Sequence, residues 1–250
     1  MRLPRWFHLF GSPPFVYRLA GTLTPWLGMI ACTLLIVGAY WGLAVVPPDA
    51  VQGEVYRILY IHPQTAYVSM MAYVVMAITA GIGYIWRIKL AHAVAVSAAP
   101  IGASFTFAAL VSGSLWGRPT WGTYWEWGDP RIMFETLLLF LFLSYLALRA
   151  AFEDRDKADR VSAILAVVGV VNVPIIHYSV LWWNTLHQGP TISKLGSPSM
   201  ATEFLIPFLI MVAGFTFCFY WLLLSRLKAE IVERERDTRW LQDALQGGRS

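Results

Sequence analysis

FLIPFLIMVAGFTFCFYWLLL, residues 204–224, runs for twenty-one positions without a charged side chain. A hydrocarbon core about 30 Å thick takes roughly 20 apolar helical residues to cross, so this stretch reads as a membrane-spanning helix. Five more qualify: 25–46, 64–86, 93–115, 132–150 and 161–181. In lipid each backbone N–H and C=O must be satisfied within its own segment, and these runs lack the alternation of barrel strands. The expected fold is an all-α membrane protein, a bundle of six transmembrane helices forming one integral domain over residues 1–250. The composition agrees: 57% hydrophobic and 14% charged, with the charges in short islands between the runs. Residues 1–20 are basic and aromatic but interrupted by Pro4, Gly11, Pro13 and Pro14. The first apolar run is also too long for the core of a cleaved signal, so the N-terminus is expected to be retained.

Lys and Arg set the expected orientation. With both termini in the cytoplasm, fifteen basic residues fall inside, among them Arg2, Arg5, Arg18, Arg87, Lys89 and Arg149; only Arg57, Arg118, Arg131 and Lys194 fall outside. That bias follows the positive-inside rule. The net charge of +4 is then a matter of topology, and no nucleic-acid partner is expected. The outer loops are 47–63, 116–131 and 182–203. On the inner side, residues 153–160 mix signs as a solvated turn would. The tail from Ser225 is expected to extend the last helix into solvent, with Leu223, Leu227 and Ile231 on one face, up to Gly247-Gly248.

Several chemistries are excluded. Cys32 and Cys218 each stand alone in an apolar run, which rules out a Cys-x-x-Cys redox pair and a thiolate metal site. No glycine-rich phosphate loop and no Gly-x-Ser-x-Gly elbow occurs, so the chain carries no ATPase or hydrolase motif.

The outer side is unusual. WGRPTWGTYWEWGDPR, residues 116–131, holds Trp116, Trp121, Trp125 and Trp127; with Trp41, Trp182 and Trp183, seven of twelve tryptophans collect on one side. A two-sided interfacial belt would not produce that bias, although Trp41, Trp182 and Trp183 suit ordinary interfacial anchoring. Gly117, Gly122 and Gly128 interrupt the loop's aromatics and let its backbone bend around a flat object. His62, His177 and His187 lie near the same face, while His8 and His92 read as inner-side surface residues. A lone interfacial histidine is commonly structural. Two loop histidines flanking a tryptophan-rich loop could instead clamp the iron of a planar macrocycle axially while indoles cover it.

These residues resemble a known family. Trp116-Gly117 through Trp121, Trp127 and Asp129 is similar to the tryptophan-rich WWD signature of haem-handling proteins. Tyr60-Ile61-His62, Ala99 to Ala103, and Asn172 to Val180 with Trp182 to Gly189 resemble the CcmC family, the haem exporter C proteins of cytochrome c maturation system I. The resemblance covers about residues 15–225. It implies a multi-pass protein of the bacterial inner membrane, surrounded by lipid, that binds haem b (iron protoporphyrin IX) at a periplasmic WWD site. It further implies covalent attachment of that haem to the chaperone CcmE, at most a haem-lyase-like activity, beside the transporter subunits CcmA and CcmB and the small protein CcmD. The histidines that match the family's axial ligands are His62 and His187.

On this basis His62 and His187 are the expected iron ligands, and Trp116, Trp121, Trp125 and Trp127 the expected cover of the porphyrin. Arg118 and Arg131 are the outer cations available to its propionates, and Gly117, Gly122 and Asp129 complete the loop. Asp129 is expected to brace the loop through Arg131 or a backbone N–H, and His177 to be structural. The family's pattern joins Trp directly to Asp; here Gly128 intervenes, Pro130 follows, and Ile132-Met133 replace Leu-Thr, which is expected to shift Asp129 and Arg131 relative to the indoles. Pro63 biases His62 toward an extended backbone just before a helix. The alternatives are a b-type electron-transfer protein, whose ligands would sit within the bilayer, and haem translocation through this chain, for which Asn172 and Pro174 leave some room.

Overall fold

The computed structural model describes residues 11–187, 189 and 197–247. Pro4, Arg2, Arg5, His8, Gln188, Lys194, Gly248 and Arg249 lie outside the described residues. The described chain is helical. α1 spans Pro13–Tyr40 and continues as a π-turn over Trp41–Val45; a 3-10 segment, Glu54–Tyr60, precedes α2, His62–Trp86. Then come α3 (Lys89–Trp121), α4 (Pro130–Ala150), α5 (Arg155–Gly169), α6 (Asn172–Trp182), α7 (Thr202–Glu235) and α8 (Arg239–Gly247). Six helical stretches are long and apolar enough to cross a membrane, with α5 and α6 together making the fifth.

Small residues bring the central helices together. α2 and α3 bury Ala72, Ala80, Ala95, Ala98 and Ala99, which lets their backbones approach closely in a medium that supplies no hydrophobic drive of its own. Phe142 of α4 fills the space that a Cβ on Gly102 would occupy, and Tyr73 packs edge-on against it at 5.0 Å.

Local chemistry moves several boundaries. Pro13 and Pro14 do not break the N-terminal region; they sit in the first turn of α1 after Ser12, where a missing N–H costs nothing and a fixed φ favours the helix. α3 carries through Pro119 to Trp121, so Trp116, Gly117, Arg118 and Trp121 lie on helix, and the connecting loop is only 122–129. The fifth span breaks at Val170–Val171, because Pro174 has no N–H for the Val170 carbonyl and its ring would strike it. Asn172 secures the restart by donating Nδ2–H to the Phe134 carbonyl at 2.9 Å.

At the basic end three expectations are corrected. One face of the α7 extension is covered rather than solvated: Leu227 and Ile231 are buried with Val16 of α1 and Leu90 and Ala93 of α3, and Trp240 of α8 packs on that cluster. His92 is buried rather than on the surface, against the bare backbone of Gly83. Nor is 153–160 wholly a solvated turn. Asp159 is 2% exposed and accepts hydrogen bonds from Arg149 of α4 and, at 2.8 and 3.1 Å, from Arg234 of α7. A buried carboxylate needs such partners to offset its desolvation.

Candidate functional site

His62 opens α2, with Pro63 in the first turn. Its Nδ1 lies 3.1 Å from the Ala109 carbonyl and 3.2 Å from Ser112 Oγ, both on α3. The ring comes this close because Gly113 has no side chain; a Cβ there would stand 2.8 Å from His62 Cε1. With Nδ1–H donated to those acceptors, the tautomer leaves Nε2 unprotonated and free.

The tryptophan loop is built by hydrogen bonds. Gly122 ends α3 at φ +83 and donates its N–H to the Arg118 carbonyl at 3.0 Å, a left-handed cap that other residues adopt only with strain. Arg118 in turn donates to the Gly122 carbonyl and lies over the Tyr124 ring. Gly117 sits where the Thr123 carbonyl folds back to within 2.9 Å of a would-be Cβ. The extra residue Gly128 is absorbed in a tight turn, its N–H donating to Glu126 Oε1 at 3.1 Å and the Asp129 N–H to the Glu126 carbonyl at 3.1 Å.

Asp129 is the hub, 3% exposed. Oδ1 caps α4 by accepting from the Ile132 N–H at 3.1 Å. Oδ2 accepts from Thr185 Oγ1 at 2.5 Å and from the Leu186 N–H at 2.8 Å, and His187 Nδ1 lies 3.5 Å from Oδ1. Burial alone would raise its pKa; the hydrogen bonds from His187, Thr185, Leu186 and Ile132 outweigh it and hold the carboxyl well below the usual carboxylate range. The insertion of Gly128 therefore leaves Asp129 beside His187. The bracing runs to the 185–187 segment, not through Arg131.

Two neighbouring cavities, about 630 and 40 Å³, share His62, His187, Trp121 and Arg131 in their linings. Trp116 lines the larger one, donates Nε1–H to Gln52 Oε1 at 2.7 Å and meets the His62 ring edge-on at 5.8 Å. Trp121 packs on the His187 ring at 5.0 Å. Trp125 lines the smaller cavity, its Nε1–H buried without a partner among the described residues. Trp127 is 75% exposed, edge-on to Trp125 and outside both linings. Arg118, Gly117 and Gly122 also lie outside them, so of the two expected cations only Arg131 reaches the cavities. Trp182 and Trp183 are exposed at this end, and Trp41 packs on the Tyr60 cluster.

The sequence reading missed Glu135, buried beside the smaller cavity and accepting from Ser69 Oγ at 2.7 Å. A carboxylate inside an apolar segment was the available signal. It also missed Thr185, whose hydroxyl bridges Asp129 and the His187 backbone, and the place of His177 in the wall of the larger cavity. The arrangement suits an iron macrocycle. The two imidazoles, each with Nδ1 facing a protein acceptor, are the residues that would hold such an iron, through Nε2. Trp121 and Trp125 supply apolar faces, Arg131 and the orphaned Trp125 N–H suit carboxylate edges, and the volume falls within the roughly 300–1,000 Å³ of small-molecule sites.

Comparison with known proteins adds independent findings. The family model described as Heme exporter protein C matches residues 6–242. The chain is 44% identical over 242 residues to the Heme exporter protein C of Haemophilus influenzae, covering 97% of this chain and 98% of that protein. It is 43% identical over 239 residues to that of Escherichia coli strain K12, covering 95% and 96%, and 36% identical over 228 residues to that of Paracoccus denitrificans, covering 90% and 93%.

Proposed function

The chain belongs to the heme exporter protein C family, and from that premise we propose that it binds haem b at its tryptophan end and presents it for covalent attachment to CcmE in c-type cytochrome biogenesis. The observation that carries the reading is the matched pair of imidazoles: His62 and His187 share a cavity, and each has Nδ1 turned to a protein acceptor. His62 and His187 would hold the iron through Nε2. Ala109 and Ser112 would orient the first, and Asp129 the second. Trp116, Trp121 and Trp125 cover and edge the ring, and Arg131 pairs with a propionate. Haem, when bound, would supply an iron that imidazole can ligate and a flat apolar face. Trp127 and the 122–129 turn stand at the outer rim, where CcmE would reach an exposed edge.

The charge bias supports placing this end in the periplasm of an inner-membrane protein. The partners in the proposal are CcmE, the transporter subunits CcmA and CcmB, and CcmD. The test is direct. Protein purified in detergent from haem-replete cells carries haem, and His62→Ala or His187→Ala lowers its haem content, partly restored by imidazole. In cells, Trp121→Ala at normal abundance fails to generate covalent haem on CcmE, and c-type cytochromes vanish while b-type cytochromes persist. Normal CcmE loading with lost respiratory electron flow would replace haem presentation by electron transfer.

A further inference from the structure

Glu135 is the only acidic residue in the apolar run 132–150, and a carboxylate inside a membrane span marks a functional position by default. It is 7% exposed. Ser69 of α2 donates to its Oε1 at 2.7 Å, so the carboxylate is held between two packed helices rather than on the loop. Arg131 stands one turn earlier on the same face of α4, and both residues line the smaller cavity with His62 and His187. They are not joined: among the described residues Arg131 donates no hydrogen bond and closes no ion pair. The carboxylates that act on its charge are Glu135 and Asp129. Asp129 is already committed, its oxygens accepting from Ile132, Thr185 and Leu186 while His187 faces it. Glu135 is therefore the carboxylate that balances the guanidinium across the cavity.

We propose that Glu135 tunes release: it competes with a haem propionate for Arg131, and so keeps the site from holding haem too tightly to present it. The proposal rests on the haem reading of this upper site, with Arg131 as the propionate's partner. An arriving propionate would pair with the guanidinium through charge-assisted hydrogen bonds, but it brings a second negative charge to a cavity where Glu135 is already fixed. Two carboxylates around one guanidinium repel each other, and in a water-poor cavity that repulsion exceeds its value in bulk water. Among the described residues Glu135 hydrogen-bonds neither imidazole; it is a positioning residue that acts through Arg131. The imidazoles and indoles favour retention, and this carboxylate opposes it. A protein that only stored haem would gain from losing the charge; one that passes haem on would not.

The experiment uses the full-length protein in lipid nanodiscs, loaded with ferric haem or with its dimethyl ester, which has the same ring and iron without the propionate charges. Each variant is first checked for monodispersity and helicity, and loss to excess apomyoglobin is followed by absorbance. Glu135→Gln keeps an oxygen for Ser69 and removes the charge. It should lose haem about tenfold more slowly than wild type, and lose the ester at the wild-type rate within about twofold. Glu135→Asp keeps the charge and shortens the reach, and should lose haem at close to the wild-type rate. Handover of haem to CcmE by Glu135→Gln should slow by the same order as release. Haem loss from Glu135→Gln that is unchanged or faster, or an equal change for haem and ester, would overturn the proposal, as would Glu135→Asp behaving like Glu135→Gln. Arg131→Met should hasten loss of haem and not of the ester. Haem loss indifferent to Arg131→Met would instead defeat the propionate assignment, and retention indifferent to His62 and His187 the whole upper-site reading.

Discussion

At the scale of single residues, the proposed haem site rests on two imidazoles whose Nδ1 atoms already face protein acceptors. Asp129 shows how much one side chain does: it caps α4, anchors Thr185 and Leu186, and faces His187. Removing a group that orients a metal ligand commonly costs about 10–100-fold in affinity. Asp129→Ala is therefore expected to lower haem affinity by that order. Asp129→Asn, which keeps a side-chain oxygen but loses the charge, should lower it less and raise the midpoint potential of the bound iron. Titration of purified protein with haem and a redox titration check both; an unchanged affinity in Asp129→Ala rules out the orienting role. Gly113 works by what it lacks. Gly113→Ala places a methyl group 2.8 Å from the His62 ring, so haem retention should fall sharply while helicity and melting change little. A normal spectrum from that variant would mean that His62 need not hold this position.

At the scale of elements, the tryptophans divide between a helix end and a loop. The glycine and indole pattern made the stretch visible in the sequence; its division did not, because a proline in a last helical turn reads as a break when only local preference is considered. Continuation of α3 through Pro119 puts Trp116 and Trp121 on one rigid helix facing the histidines, and leaves Trp127 at the rim. Trp121→Ala and Trp125→Ala should each weaken haem retention through lost flat contact, by about 1 kcal/mol or more, whereas Trp127→Ala should leave it within about twofold. Dissociation rates measured with a haem scavenger separate the three. Equal losses in all three would place Trp127 over the porphyrin after all. Gly122→Ala is expected to loosen the cap by about 1 kcal/mol, since only glycine holds φ +83 there without strain.

At the scale of the whole molecule, the two ends are built differently: a cavity among indoles and imidazoles at one, a buried charge hub at the other. Removing Asp159 leaves Arg149 and Arg234 facing each other without their shared carboxylate, a loss of about 3–5 kcal/mol for a broken buried pair. Asp159→Ala should lower the melting temperature in detergent, with any haem loss following unfolding. Haem loss at unchanged melting temperature would instead couple this hub to the upper site. The orientation is tested by reporter fusions: those within 118–126 should read periplasmic, and those after Arg149 or at the C-terminus cytoplasmic. A cytoplasmic signal from 118–126 would part the site from its proposed chaperone.

By itself the sequence determined the six spans, because membrane crossing depends on the length and composition of contiguous runs, and those are local quantities. It likewise exposed the histidines and the tryptophan cluster, since residue types and spacing can be read directly. Tertiary structure alone decided which of them meet. Asp129 reaches Thr185, Leu186 and His187 across 56 to 58 positions of chain, His62 reaches Ala109 across 47, and Arg118, chemically equivalent to Arg131, turns away to close its own helix. The same holds for the buried Asp159 and the covered face of Leu227 and Ile231, which look like solvated surface until α1, α3 and α4 close over them. Such partners are chosen by packing between helices distant in sequence, where the need to satisfy each buried polar group selects one arrangement from many that local pattern allows.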